Sequence, residues 1–559
     1  MTTIRFLGGL GEVGRNCMVV EGPSGAVIVD AGVMFPDSEL VGVDLVLPEF
    51  TYIEKIADRV AGIVLTHGHE DHIGAMPYLL PRIPPTRVYG SDLTLRFLSR
   101  KLDEFGIADA VELRTTGDRQ TTSIAGMDFT FFATAHSVPD ACGIVIESDD
   151  GRILHTGDFK IDSTPLDQRR TDLQLIARVG ERGVDVMLCD STNAVERGWI
   201  KSERQVGRFF EEVFGSRRQK RIIATCFASH LHRIQQLVGR AAEYGRKVCF
   251  VGKSVERNVE IAVKAGKLVL PEESVISVSE LGRISPWMTC IVCTGSQGEP
   301  YSSLALMASG EHPAIEISPG DTILVSSHPI PGNEPAVYRV IDMLYAKGAE
   351  VLYSEVCPEV HVSGHAASED LKIVISLASP RHFTPIHGEH RHLVAAGQIA
   401  QEMGVPPSNV MIGLNGDSLV LEDGVLRMER STVPAGIWYV DSGSATAAIR
   451  EDHLSHEVLR ERSQIAREGV VVVVVTVSAQ TGELMGEVEV EGRGVRNGAM
   501  GGNELEELKA QVASAVEETA RRGVRDWGTL KRTVRSTAGQ FLRKSGTGRP
   551  LVVPVVIEV

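Results

Sequence analysis

The sequence predicts a mixed α/β chain of several domains, and three observations carry that prediction. The chain has 559 residues, more than one hydrophobic core usually holds. Residues 1–160 are filled with short apolar segments ended by turns, among them "TIRFLGG", "CMVVEG", "AVIVDAG", "GIVLTHGH", "DFTFFATAHS" and "RILHTGD", a β-rich layered pattern. From about residue 200 to 360 helical and strand-like segments alternate, as in "RQVGRFFEEVFG", "RIIATCF", "LHRIQQLVGRAAEYG" and "KVCFVG", which reads as a doubly wound parallel sheet.

The remaining elements follow in order. After residue 370 come a helix, a strand and "HGEH", which return to the first domain. A small α+β unit closes the chain, with the helix "ELEELKAQVASAVEETARRG" and the final strand "LVVPVVIEV". The expected divisions are a first domain over 1–205, an insert over 206–365, a return to the first domain over 366–445, a linker over 446–466 and a C-terminal unit over 467–559.

Composition narrows the function. The chain is 43% hydrophobic and 23% charged, ordinary for a globular protein. The longest apolar run, 469–477, is too short to cross a bilayer and reads as a buried strand. The N-terminus shows no basic region followed by an apolar core, so no membrane association and a cytoplasmic location are expected. The formal charge of −16 argues on its own against nucleic acid, but a local basic groove beside metal ions can hold a polyanion. The basic stretches 216–221, 381–392 and 521–549 each read as solvated faces when taken singly.

Two apparent motifs carry little. Cys290 and Cys293 have CxxC spacing, but they lie on a β-branched strand with no second pair nearby and read as buried thiols. "GLGEVG" at 9–14 fits a dinucleotide fingerprint, which needs a helix after the glycines. Strand-like "RNCMVVEG" follows instead.

"HGHEDH" at 67–72 is different. A buried strand ends in a turn that carries His67, His69, Asp71 and His72. Alternate residues of extended backbone share a face, so His67 and His69 point together. Two ligand pairs so close suggest two neighbouring metal ions, since structural zinc favours cysteine-rich tetrahedral ligation. His136, Asp158 and His387 lie at later strand ends and supply three more ligands of suitable type.

The order HxHxDH, a downstream histidine, then "TGD" resembles the metallo-β-lactamase superfamily, whose fold is an αβ/βα sandwich with a dinuclear site at one edge. Asp30, in "IVDAG", matches the first motif of that superfamily, an orienting residue. "CDSTNA" (189–194), "HVSGHA" (361–366) and "PIHGEH" (385–390) resemble the additional motifs of the β-CASP nucleases, in which a second domain is inserted into the lactamase fold. "FASHLHRIQQ" and "TGSQGEP" resemble parts of that insert. Order, spacing and the C-terminal appendage resemble the ribonuclease J family, and the likeness covers essentially the whole chain.

The resemblance implies two zinc ions: one on His67, His69 and His136, the other on Asp71, His72 and His387, with Asp158 bridging. Histidine at the position of His387 resembles the members that act on RNA. The implied activity is zinc-dependent hydrolysis of RNA, 5′-to-3′ from a 5′-monophosphate end and also internally, in RNA processing and decay. Asp71 and two further residues form the implied catalytic set. His365 is the candidate general acid, with an ordinary pKa near neutrality, and Asp190 is a candidate to orient a metal-bound histidine.

"FASHLHR" is a strand-to-helix turn, which presents backbone N–H groups to an anion. Ser229, His230, Leu231, His232 and Arg233, with His361, Val362, Ser363, Gly364 and His365 of the second turn, form a candidate pocket for a terminal phosphate. Gly42, Asp44 and Asp441 offer loop oxygens that suit a structural calcium ion, which the family sometimes holds. The expected partners are single-stranded RNA, further copies of the chain in a homodimer or homotetramer, and other RNA-decay proteins. Two alternatives stand beside this reading: a small-molecule hydrolase of the lactonase or lactamase type, and a noncatalytic RNA-binding subunit.

Overall fold

The structure is a computed structural model and describes residues 1–36, 40–441, 456–495, 502–524, 526–545 and 548–559. The chain divides into two compact units, one of Met1–Phe35 with Leu45–Asp452 and one of Pro36–Asp44 with His453–Val559.

Two large sheets face each other in the first unit. One has eight strands, in the order Val425–Glu429, Ser418–Glu422, Thr2–Gly8, Cys17–Gly22, Gly25–Val29, Val60–Val64, Thr86–Gly90 and Val111–Thr115. The other has six, in the order His382–Ile386, Val186–Asp190, Gly151–His155, Cys142–Ser148, Met127–Ala133 and Thr121–Ile124. Period-two geometry sends alternate side chains to opposite faces. Ile4, Phe6, Val20, Val27 and Val64 therefore meet Phe129, Phe131, Ile144, Ile153 and Leu188 between the sheets. Their strand neighbours Val19, Ile28, Ile63 and Val88 face outward onto Met76–Leu79 and Asp92–Phe105. On the far side Leu154, Met187 and Phe383 pack against Leu173–Glu181, Ser368–Ala378 and His390–Glu402. The result is a helix–sheet–sheet–helix sandwich. Burial on both faces explains why these strands read as nearly continuous apolar runs.

The insert enters between two neighbouring strands. Val186–Asp190 and His382–Ile386 pair in parallel, with Asp190 opposite Ile386. The intervening chain builds a five-stranded sheet in the order Lys247–Val251, Thr289–Cys293, Ile222–Thr225, Thr322–Val325 and Glu350–Leu352, parallel throughout. Helices Arg204–Ser216, Leu231–Glu243 and Lys253–Lys264 cover one face, and Ser303–Ser309 and Glu334–Ala346 cover the other. Ile222–Thr225 and Thr322–Val325 are adjacent, yet the helices that follow them lie on opposite faces. A crevice at the carboxyl ends of two such strands is where open α/β sheets bind ligands. The turns after Thr225 and Val325 lie there.

Cys290 and Cys293 are buried on one strand, and their side chains enter cores on opposite faces of the sheet. A shared metal is excluded by that geometry. "GLGEVG" leads into the strand Cys17–Gly22, as its sequence implied.

The second unit has a three-stranded sheet, Glu489–Arg493, Val470–Val477 and Leu551–Glu558. Val471, Val473 and Val475 pack on Leu508, Val512 and Val516 of Gly502–Arg521 and on Val534 and Leu542 of Trp527–Lys544. On the edge strand Leu551–Glu558, Val553 and Ile557 are 37% and 45% exposed. The linker expected over 446–466 lies outside the described residues up to 455, and from residue 456 the chain is helical, His456–Glu468. Among the described residues no helix is long and apolar enough to cross a membrane.

Candidate metal centre and active site

The site is built from turns at strand ends along one edge of the sandwich. His67 and His69 follow Val60–Val64, and His69 occupies the N-cap position of the short helix Glu70–Ile73, which carries Asp71 and His72. His136 follows Met127–Ala133, Asp158 follows Gly151–His155, and His387 follows His382–Ile386. Asp30 and His387 have left-handed backbone, with φ of 60° and 52°. Non-glycine residues seldom adopt that conformation, and it concentrates at functional sites. The His387 carbonyl is held by Ser191 Oγ at 3.2 Å and Thr192 Oγ1 at 3.0 Å.

The side chains converge into two groups that share a carboxylate. His67 Nε2 and His136 Nε2 lie 3.1 and 3.2 Å from His69 Nδ1. His72 Nε2 and His387 Nε2 lie 3.5 and 3.3 Å from Asp71 Oδ2. Asp158 Oδ2 stands between the groups, 3.6 Å from His67, 3.7 Å from His136 and 3.4 Å from His72. The sequence-derived ligands are thus all brought together, in the two sets the family resemblance implied.

The donor set fits metal ions. Each histidine hydrogen-bonds to an oxygen through one nitrogen, or in one case lies near one, which turns the other nitrogen toward the cluster. His136 Nδ1 is 2.8 Å from the Gly364 carbonyl, and His72 Nδ1 is 2.8 Å from Asp30 Oδ2. Thr66 Oγ1 donates to Asp30 Oδ2 at 2.7 Å and accepts from His67 Nδ1 at 3.1 Å. His387 Nδ1 donates to Asp158 Oδ1 at 2.9 Å, and Ser137 Oγ lies 3.4 Å from His69 Nε2. The ring nitrogens of His67, His69 and His136, facing one another at 3.1 and 3.2 Å, suit a shared cation.

The electrostatics agree. Burial and the neighbouring His72 hold His67 well below the ordinary histidine pKa, and burial does the same for His136 and takes His69 down to about 4. Neutral imidazoles are the ligating form. Burial opposes ionisation of Asp158, but His387, His72 and His67 outweigh it and keep the carboxyl well below its usual range. Burial also opposes charge on His387, yet Asp158 and Asp71 raise it to about 10. That demand for positive charge is one a divalent cation meets.

His365 lies at the rim. Its Nδ1 is 2.8 Å from Asp190 Oδ2 and its side chain is 19% exposed. Burial lowers its pKa, but Asp190 offsets this and leaves it above the ordinary value. Asp190, expected to orient a metal-bound histidine, thus holds the candidate acid, and its carboxylate also shares one cluster with Asp158, His365 and His387, their ligand atoms within 4.8 Å of one another. Its other oxygen accepts from the Thr192 amide and hydroxyl at 3.0 and 2.8 Å. Gly364 is needed for this approach, since a Cβ there would sit 2.8 Å from His136 Cε1.

The candidate phosphate pocket holds fewer free donors than its sequence implies. Arg233 is fully buried and its guanidinium is spent on protein partners, Glu203 among them. It is not a phosphate donor. Leu231 is buried and its amide donates to the Ser229 carbonyl at 2.8 Å, so neither side chain nor N–H is offered. His361 and Val362 also face Arg233, through Nδ1 and a carbonyl. Ser229, His230 and His232 remain at the turn. His230 Nδ1 is buried without a hydrogen-bond partner, and His232 Nε2 lies 3.2 Å from Asp167 Oδ2. Ser363 Oγ accepts from the His365 amide at 3.2 Å.

For the calcium set, Gly42 and Asp44 belong to the second unit and Asp441 to the first. The Gly42 carbonyl accepts from Arg462 Nη1 at 2.8 Å, which brings positive charge to the oxygen offered to calcium.

Sequence reasoning missed Asn16 and Thr66. Asn16 Nδ2 lies 3.1 Å from both His72 Nε2 and the Asp71 carbonyl. Thr66 is adjacent to the histidine motif and was legible there. Asn16 is remote in sequence and carried no signal.

Comparison with known proteins agrees with this geometry. Residues 10–180 match the family model described as Metallo-beta-lactamase superfamily, and 219–344 match Ribonuclease J, beta-CASP domain. Residues 358–410 match Zn-dependent metallo-hydrolase RNA specificity domain, and 457–559 match Ribonuclease J C-terminal domain. Ribonuclease J of Thermus thermophilus is 39% identical, over 99% of this chain and 94% of that protein. The chain belongs to the ribonuclease J family. Ribonuclease J of Mycolicibacterium smegmatis is 36% identical, over 100% of this chain and 97% of that one. Membership accounts for the sandwich, the inserted parallel sheet and the C-terminal α+β unit together. A solved structure of a protein of unknown function from Enterococcus faecalis V583 aligns with a TM-score of 0.53 at 14% identity, covering 75% of this chain and 100% of that one. That likeness is one of fold alone.

Proposed function

We propose that this member of the ribonuclease J family is a metal-dependent ribonuclease that uses two zinc ions per chain to hydrolyse single-stranded RNA. It removes nucleotides 5′-to-3′ from a 5′-monophosphate end and also cuts internally, in RNA processing and decay. The observation that carries the reading is the sharing of Asp158. One carboxylate oxygen lies within 3.7 Å of histidines from both ligand groups, so Asp158 would serve ions held by either set.

His67, His69 and His136 would hold one ion, and Asp71, His72 and His387 the other. Divalent ions held there supply water activation and charge neutralisation at the phosphoryl group. The chain's own residues supply the rest. Asp190 accepts from His365 Nδ1, so Nε2 is the nitrogen left to protonate the departing ribose 3′-oxygen. Products then carry 5′-phosphates and 3′-hydroxyls. Ser229, His230, His232 and Ser363 are the proposed donors for the terminal phosphate, in the crevice at the carboxyl ends of the inserted sheet.

The C-terminal unit supports assembly. Its sheet covers one face with helices, and its edge strand exposes Val553 and Ile557. Exposed apolar edges invite pairing, and a homodimer or homotetramer would bury them.

Metal stoichiometry tests the central part. Protein stripped with a chelator should regain RNA cleavage as zinc is added, reaching a plateau near two ions per chain. A plateau at one ion would overturn the two-metal reading.

A further inference from the structure

The turn that carries His365 is tied down carbonyl by carbonyl. The Val360 oxygen accepts from Ser326 Oγ at 2.6 Å, Val362 from Arg233 Nη2 at 3.1 Å, and Ser363 from Lys160 Nζ at 3.3 Å. The Gly364 oxygen accepts from His136 Nδ1 at 2.8 Å and that of His365 from Asn193 Nδ2 at 3.2 Å. Arg233 makes the largest contribution. Nη1 donates to His361 Nδ1 at 2.6 Å and to the Ser326 carbonyl at 2.7 Å, while Nε and Nη2 form a fork on Glu203 at 3.0 and 2.7 Å. A planar guanidinium locks geometry in a way that an ammonium does not. Arg233 belongs to the helix Leu231–Glu243, which begins at the proposed phosphate turn.

We infer that Arg233 is a positioning residue, which fixes the 361–365 turn so that His365 reaches the leaving oxygen. It acts through the turn and touches no substrate. The inference rests on the proposed reading of His365 as general acid. It also links the turn that would receive the RNA end to the residue that would protonate the leaving group, through one side chain.

The test uses full-length, zinc-loaded protein and two RNAs that differ at one linkage, with an ordinary 3′-oxygen or a bridging 3′-sulfur. A thiolate leaves without a proton, so loss of acid catalysis should not slow that linkage. Arg233→Lys keeps the charge and loses the fork. The pair Arg233→Met with Glu203→Gln removes both members of the buried ion pair and leaves no charge unpaired. Single-turnover rates at saturating RNA should fall about 10–100-fold on the oxygen linkage, the scale of a catalytic group misplaced by about 1 Å. Rates should stay near parental on the sulfur linkage, with RNA affinity and zinc content retained. His365→Ala runs alongside. If it is not rescued by sulfur, the general-acid reading falls. If it is rescued and the Arg233 variants are slowed equally on both linkages, or not at all, the positioning role falls. Failure of both Arg233 variants to fold would leave only a stabilising role and also overturn it.

Discussion

His365 Nδ1 and Asp190 Oδ2 lie 2.8 Å apart, which joins two segments 175 residues distant in sequence. Asp190 ends one strand of the six-stranded sheet, and His365 comes from the end of the insert that separates this strand from its neighbour. The pair exists only because the insert leaves and re-enters at that point. His365→Ala should lower turnover by about 10²–10⁴-fold, the usual cost of removing a general acid. Zinc content and RNA affinity should be retained. A variant that loses RNA affinity and keeps its saturated rate would make His365 a binding residue.

Asp158→Ala should abolish cleavage and release metal while the protein stays folded. The carboxylate serves both ligand groups, so neither would keep its set. Metal analysis and circular dichroism on one sample give the answer. Full activity in this variant contradicts a shared carboxylate.

The 5′ end should be read at the Ser229 turn. On one RNA with three different ends, the monophosphate should be degraded faster than the triphosphate or hydroxyl. A pocket with room for one phosphate excludes two more, and a hydroxyl end loses charge-assisted hydrogen bonds. Ser229→Ala with His232→Ala should flatten the preference and spare internal cuts. An undiminished preference would place the recognition elsewhere.

Much of this was legible in the sequence, for identifiable reasons. The ligands cluster where apolar strands end, so His67, His69, Asp71, His72, His136, Asp158 and His387 each stood out beside a readable strand. The parallel insert was legible from alternating helix and strand. What sequence could not give was the partner of a buried group. Arg233 lies beside Ser229 and His232 in sequence and reads like another anion donor, yet its side chain turns inward to Glu203. Asp190 was read as orienting a metal-bound histidine, and its 2.8 Å contact to His365 depends on where the insert re-enters, which the sequence does not show. The helix His456–Glu468 was read as linker because it is polar on most faces.

Removing residues 456–559 should shift the mass by light scattering toward monomer. The exposed Val553 and Ile557 would leave with the edge strand. An unchanged oligomer would assign assembly to the first unit.

Two metal ions and a read 5′ end would make this chain a 5′-to-3′ ribonuclease. Mass-resolved products from a single 5′-monophosphorylated RNA, followed over time with zinc-loaded protein, test it most directly. Nucleoside 5′-monophosphates should be released in order from the 5′ end, with minor internal fragments bearing 5′-phosphates and 3′-hydroxyls, and Asp158→Ala should give no products. Fragments with 3′-phosphates, release from the 3′ end, or an intact RNA would contradict it.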